Sequence, residues 1–373
     1  MLAGSTLRSA AFTVLTLASL LGMAGGTWDA AWHVTLLRES FWTPPHMLLY
    51  GGTGLALLGA GAGILGAWLS GQSPLRSRPG FVVAAIGAAI VVGAAPLDDY
   101  WHRTFGADVD VWSFPHLVGL SGGAIVYLGA ILALETVARR FALTRPNPPA
   151  AERPASPRGR GEDGPLSLRV SLVFFLTALL WIVMFCLNWY TLVLARSRDS
   201  LEYPALATLV AVPVLVLSAS LLGRWGATLI AACYMIYIAA AHGLLAHVGF
   251  AELPFPPILV VPALAIDLVM AAQRFRGRWV AGMVAGLAFV PLFFAAEAAS
   301  LAWYPHPLLP PPRSTSALGY YISAAEHPWD LTHIAMSLPI CLVIGAVAGI
   351  VGAWLGRTIH RLAKEASGWA PPA

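Results

Sequence analysis

Long apolar runs limit most strongly what this chain can fold into. Several stretches approach or exceed roughly 18 residues almost without charge, which is the length of a transmembrane helix. We therefore predict an all-α polytopic membrane protein with about ten transmembrane helices. They lie near residues 8–26, 45–70, 80–97, 115–137, 169–194, 204–222, 226–246, 256–273, 279–302 and 333–356.

The composition indicates that lipid is the main partner of the chain. Only 11% of the 373 residues are charged, against about 25% in soluble domains. The net charge of +4 comes from basic residues in short loops, which does not indicate a nucleic-acid-binding surface. Three cysteines lie inside apolar runs, so the sequence offers neither a disulfide framework nor a CxxC metal site.

Basic residues predict the orientation of the chain in the membrane. With a cytoplasmic N-terminus, 17 of the 22 Lys and Arg residues fall in cytoplasmic segments and 5 fall outside. Because cytoplasmic loops carry the excess of Lys and Arg, both termini are predicted to be cytoplasmic. We interpret the first span as a retained helix, and place the protein in the inner (plasma) membrane of a bacterium.

A Pro-, Arg- and Gly-rich segment divides the chain. Residues 141–168 cannot build a core, and we predict a disordered cytoplasmic linker. It separates a four-helix half, residues 1–140, from a six-helix half, residues 169–373. The second half contains a long external loop at 303–332.

The four-helix half contains an internal repeat of polar residues. The first copy reads WDAAWHVTLLRESFWTPPH, and the second reads DDYWHRTFGADVDVWSFPH. Both contain an Asp, a His four residues later, and a second His after a further 13 or 14 residues. Each copy joins the end of one span to the start of the next. The repeated residues are Asp29, His33 and His46, and Asp98, His102 and His116.

This spacing is typical of metal ligands. Residues four apart lie on one helix face, and the third ligand would come from the first turn of the next helix, where Pro45 and Pro115 suit a helix start. One carboxylate and two imidazoles suit copper, zinc or non-haem iron. The alternative is that these are hydrogen-bonded polar residues and helix caps at the membrane interface.

The first copy resembles the metal-binding stretch in the C subunit of particulate methane monooxygenase and ammonia monooxygenase. The residues that match are Asp29, His33, His46, Thr43 and Pro44. The second copy resembles another site of that subunit at His102 and His116, but has Asp98 where the family has Asn. The resemblance covers about residues 20–137.

The resemblance implies copper on the extracytoplasmic face, oxidation of a small apolar substrate by O2, and partners that are other monooxygenase-type subunits or further copies of this chain. Catalysis by this chain is left open. The alternative is a membrane protein that stores, senses or delivers copper or zinc.

The six-helix half has its own polar residues on the predicted outer side. They suggest a third metal site, with solvated loop histidines and a capped helix start as the alternative. The candidate residues are His242, His247, His306, His327, Asp330 and His333. Asp267 and Glu297 are predicted to lie within spans, either as helix-packing partners or on a proton path.

Overall fold

The computed structural model describes residues 2–36, 40–105, 113–144, 166–193, 202–250, 258–272, 277–303 and 331–368. These residues form helices joined by turns, with no strand among them. The helices are α1 Leu2–Leu36, α2 Pro44–Trp68, α3 Pro74–Ser77, α4 Pro79–Phe105, α5 Phe114–Thr144, α6 Leu166–Val193, α7 Glu202–Leu222, α8 Gly226–His247, α9 Val260–Ala271, α10 Arg278–Trp303 and α11 Leu331–Gly368.

Nine of the helices in the described ranges are long and apolar enough to cross a membrane. This confirms the prediction of an all-α polytopic membrane protein. The exception is the span predicted at 256–273, where α9 has only 12 residues and so extends about 18 Å. Pro256 and Pro257 lack the backbone N–H that a helix interior needs, which explains a start after them.

Several helices extend well beyond the predicted spans, including the two that carry the motif carboxylates. The first predicted span ends near residue 26, whereas α1 continues to Leu36, and α4 likewise continues to Phe105. Both motif carboxylates therefore lie on regular helix, near its end. The helices α5 and α6 also include residues 141–144 and 166–168 of the predicted linker. Its remainder, and residues 304–330 of the predicted external loop, lie outside the described residues.

The repeated sequence folds into two repeated helix pairs. In the first pair α1 packs along α2, in the second α4 packs along α5, and α2 packs against α4. The backbones of α4 and α5 are in close contact at glycines: a Cβ atom on Gly87 would lie 2.6 Å from the Gly122 carbonyl oxygen. Close packing of this kind is typical of helices in lipid.

The two halves of the chain pack into one helical bundle. α6 packs against α1 and α5, α8 against α1, and α11 against α5. At the end of the bundle opposite the motifs, Arg139 donates a hydrogen bond to Nδ1 of His360 (2.7 Å), and Nε2 of His360 lies 3.4 Å from the Ser220 carbonyl oxygen. These contacts join α5, α7 and α11.

Asp267 is a helix-packing residue. Its buried carboxylate accepts hydrogen bonds from the backbone N–H groups of Ala227 (3.0 Å) and Thr228 (2.8 Å) and from the Thr228 hydroxyl (2.6 Å). The first N–H groups of a helix have no partner within it. Asp267 on α9 therefore caps α8, which explains a carboxylate in an apolar segment. Glu297 is also buried, on α10.

Candidate metal centres

The first motif forms a compact cluster where α1 meets α2. Asp29 and His33 lie one helical turn apart on α1, and His46 is the third residue of α2. Asp29 lies between the two imidazoles. Its Oδ2 is 3.4 Å from Nε2 of His33, and its Oδ1 is 3.3 Å from Nε2 of His46. The structure therefore brings together the three residues that the sequence spacing indicated as candidate ligands.

Local sequence at the start of α2 positions His46. The Thr43 side chain accepts a hydrogen bond from the His46 backbone N–H at 3.4 Å, which caps the helix. Pro44 and Pro45 occupy its first turn, where a missing N–H carries no penalty. The helix therefore begins at a fixed point, and its third residue faces α1.

The second motif forms the same cluster between α4 and α5. Oδ2 of Asp98 lies 3.4 Å from Nε2 of His102, and Oδ1 lies 3.1 Å from Nε2 of His116. The two imidazole centroids are 5.8 Å apart, against 6.0 Å in the first cluster. Each Asp therefore places one oxygen on the imidazole of its own helix and the other on the imidazole of the next.

A hydrogen bond to the backbone fixes the tautomer of His46. Its Nδ1 lies 2.9 Å from the Ser40 carbonyl oxygen, which only accepts, so Nδ1 carries the proton. In the neutral imidazole Nε2 then carries a lone pair and faces a carboxylate oxygen of Asp29. Such a contact between two acceptors is stabilised either by a proton on Nε2 or by a metal ion bound between them. This orientation, set by a partner on the far ring nitrogen, is typical of metal-binding histidines.

The carboxylate oxygens also fit a metal ion. Oδ1 of Asp29 and Oδ1 of Asp98 are buried, and each faces a histidine Nε2 atom, at 3.3 and 3.1 Å. In each cluster one ligand atom from every residue lies within 4.8 Å of the other two. Two ligand atoms at about 2.1 Å from one ion lie about 3.4 Å apart at a tetrahedral angle, close to the measured Asp–His separations.

A cavity of about 220 Å³ lies between the two clusters. We refer to it as the central cavity. Five of the six candidate ligands line it, all except His102, and α1, α2, α4, α5 and α6 form its walls. The sequence patterns did not predict this cavity. A possible signal was the series of Gly and Ala residues at helical spacing after each motif.

Tyr50 is a further residue that the sequence patterns did not identify. It lies one turn after His46 on α2, lines the central cavity, and packs its ring 5.8 Å from the imidazole of His46. Both Asp29 and Asp98 are near enough to act on it electrostatically. Tyr50 therefore lies beside both clusters, and the second copy has Leu120 at the equivalent position.

A residue of the six-helix half also borders the central cavity. Trp181 on α6 lines it, and its Nε1–H donates to the Thr27 hydroxyl at 3.2 Å. The same hydroxyl lies 3.0 Å from the Tyr237 hydroxyl on α8. The second half of the chain therefore contributes a wall to the cavity and fixes that wall to α1.

The third predicted metal site remains a prediction. Of its candidate ligands, half-buried His242 and exposed His247 lie in the last two turns of α8. His333 lies in the first turn of α11, and nothing is described of its side chain. Among the described residues only the two motif clusters have metal-binding geometry. The remaining candidates, His306, His327 and Asp330, lie outside the described residues.

Comparison with known proteins yields no match. No model of a protein family, no curated protein and no solved structure matches the chain. The features that bear on function are therefore the two clusters, the central cavity and the local resemblance of the motifs.

Proposed function

We propose that this membrane protein binds copper at its two Asp/His/His clusters and oxidises a small apolar substrate with O2, alone or as a subunit of a larger complex. The observation that carries the proposal is the shared cavity: both ligand sets open into one space whose walls are mainly apolar. Asp29, His33 and His46 would hold one ion, and Asp98, His102 and His116 the other.

The donor atoms favour copper. Imidazole nitrogens suit copper, zinc and iron, and among divalent first-row metals such sites bind Cu²⁺ most tightly. Bound copper supplies one-electron and O2 chemistry that amino-acid side chains lack. The resemblance of residues 20–137 to the C subunit of copper membrane monooxygenases supports the same metal.

The arrangement of the ligands favours a reaction over storage. Structural sites are closed by four protein ligands, whereas catalytic sites keep a position open. Each cluster here has three candidate protein ligands. The protein residues hold the ions beside the cavity, and the Ser40 carbonyl orients one imidazole. The apolar walls exclude water from the space where a substrate would lie.

The proposal is tested first by counting metals. The protein is purified in lipid nanodiscs, loaded with copper, and analysed for copper, zinc and iron per chain. We expect two coppers in the native chain, one for each cluster, and loss of one in His33→Ala and in His102→Ala. The control is His360→Ala, a histidine at the opposite end of the bundle that belongs to no candidate metal site, and it should retain both.

Redox behaviour then separates the two functions. Copper that is reduced by a chemical reductant and reoxidised by O2, with product formed from an added short alkane, supports the oxygenase. Redox-silent zinc at both clusters would instead establish a metal-handling protein. Fewer than one ion per chain in replete protein would refute metal binding altogether.

A further inference from the structure

The central cavity is elongated along the helix axes. On α1 its lining continues below Asp29 down to Ala18, and on α5 it continues below His116 down to Tyr127. Each interval is 11 residues, which corresponds to about 16 Å of helix. The cavity therefore begins at the ligand clusters and continues through about three turns of the bundle.

The two copies of the repeat line the cavity with equivalent positions. Three positions on α1 and the three positions 69 residues later on α4 all line the cavity. The pairs are Gly22 and Val91, Gly26 and Ala95, and Asp29 and Asp98. Four positions on α2 and the four positions 70 residues later on α5 also line the cavity. The pairs are Leu49 and Gly119, Tyr50 and Leu120, Thr53 and Gly123, and Ala56 and Val126. The cavity therefore lies between the two halves of the duplication, and one end reaches both clusters.

The walls below the clusters offer almost no polar contact to a ligand. Apart from the candidate metal ligands, no charged side chain lines the cavity. The Ser19 and Thr53 hydroxyls donate to the carbonyl oxygens of Leu15 and Leu49 in their own helices. Two tyrosines provide the remaining hydroxyls, Tyr50 beside the clusters and Tyr127 at the far end. Nine of the 26 lining residues are glycine or alanine, so few large side chains project into the space.

The volume sets how much of an occupant the cavity can hold. An apolar cavity of about 150 Å³ holds one benzene molecule, so about 220 Å³ corresponds to about nine non-hydrogen atoms. A space that extends over three turns and holds so few atoms suits a chain rather than a ring system.

We propose that the central cavity binds one unbranched, uncharged hydrocarbon chain of about nine carbons, with one end between the two ligand clusters. This inference rests on the proposed function and specifies its substrate class. The chain is either a free hydrocarbon or the end of a lipid acyl chain. Its terminal carbons are then the ones presented to the metal sites.

Photoaffinity labelling tests this inference. The protein in nanodiscs is irradiated with a straight-chain hydrocarbon carrying a terminal diazirine, and labelled peptides are mapped. We expect saturable labelling of the α1 and α5 segments that line the cavity. Excess n-nonane should abolish it, and adamantane, a compact hydrocarbon of similar carbon number, should not. A phospholipid with the diazirine on its acyl chain tests the second source, and saturable labelling by either probe supports the proposal.

Two glycine variants provide a matched pair. A Cβ atom on Gly22 meets only the Tyr127 hydroxyl, at 3.6 Å, so Gly22→Leu has room to fill the cavity two turns below Asp29. Gly54 lies on the exposed face of α2 with nothing within 4 Å of a Cβ atom. Gly22→Leu should abolish labelling while both metal ions stay bound, and Gly54→Leu should change neither.

Three outcomes would overturn the inference. They are labelling that fails to saturate, displacement of the probe by adamantane as well as by n-nonane, and labelling that persists in metal-loaded Gly22→Leu. Because metal is counted in the same samples, the two failures are distinguishable. Failure of the metal sites leaves labelling without metal, and failure of this inference leaves metal without labelling. The competition between n-nonane and adamantane uses the native chain, so it tests the inference even if Gly22→Leu does not fold.

Discussion

Asp98 is the residue at which the second cluster departs from the family that the motifs resemble. Its carboxylate contacts both His102 and His116. Asp98→Asn keeps the shape of the side chain and removes the negative charge, which stabilises Cu²⁺ more than Cu⁺. We expect Cu²⁺ affinity at that cluster to fall by about tenfold or more, since even the outer partners of metal ligands contribute that much. The reduction potential should rise, as measured by a redox titration followed by electron paramagnetic resonance.

Asp99 offers the control for that substitution. It lies beside Asp98 but pairs with Arg103 at 2.6 Å, and it belongs to neither cluster. Asp99→Asn removes the same charge without removing a ligand, so it should leave the affinity close to that of the native chain. Equal losses in both variants would show that Asp98 acts through its charge alone.

The ligand residues were predictable from the sequence because their geometry is local. A step of four residues places Asp29 and His33 on one face of α1. The capped, proline-rich start of α2 determines the position of His46. The contacts of Thr27 were not predictable, since Trp181 lies 154 residues away and Tyr237 lies 210 residues away. No periodic pattern encodes such a pairing, and the central cavity depends on contacts of this kind.

Helix contacts through glycine stabilise the six-helix half as well. Gly286 on α10 and Gly345 on α11 pack backbone to backbone, and a Cβ atom on Gly286 would overlap the carbonyl group of Gly345. Gly286→Ala therefore forces the helices apart. We expect a lower apparent Tm and a lower yield of folded protein in detergent, measured by thermal unfolding and size-exclusion chromatography.

The control for the glycine contact is Gly54→Ala on the exposed face of α2, where nothing lies within 4 Å of a Cβ atom. Alanine favours a helix over glycine by about 1 kcal/mol, so this variant should be as stable as the native chain or slightly more stable. If Gly286→Ala had the same Tm and yield as Gly54→Ala, the contact between α10 and α11 would not contribute to stability.

Helix existence was predictable from the apolar runs, but helix length was not. The span predicted from hydropathy ends near residue 26, although the backbone continues as a helix to Leu36. Polar residues such as Asp29 and His33 form the same backbone hydrogen bonds as apolar ones, so a hydropathy pattern ends before the helix does. At α9 the opposite happens, because prolines shorten a helix within an apolar run.

At the scale of the whole molecule, the bundle has two distinct ends. Both ligand clusters lie at one end, together with Phe250 after α8, which packs 6.5 Å from the ring of Trp28. The contact between Arg139 and His360 lies at the other end, where α1 begins and α11 finishes. The excess of basic residues in the segments at this second end predicts that it faces the cytoplasm.

Cysteine accessibility tests that orientation. Thr104→Cys places an exposed thiol near the clusters, and Glu365→Cys places one near the end of α11; both are made after Cys186, Cys233 and Cys341 are replaced by Ala. In intact cells a membrane-impermeant maleimide should label the cysteine at 104 and should label that at 365 only after permeabilisation. The reverse pattern would place the clusters on the cytoplasmic side. Copper would then have to be delivered from the reducing cytosol, and an extracytoplasmic oxygenase would be excluded.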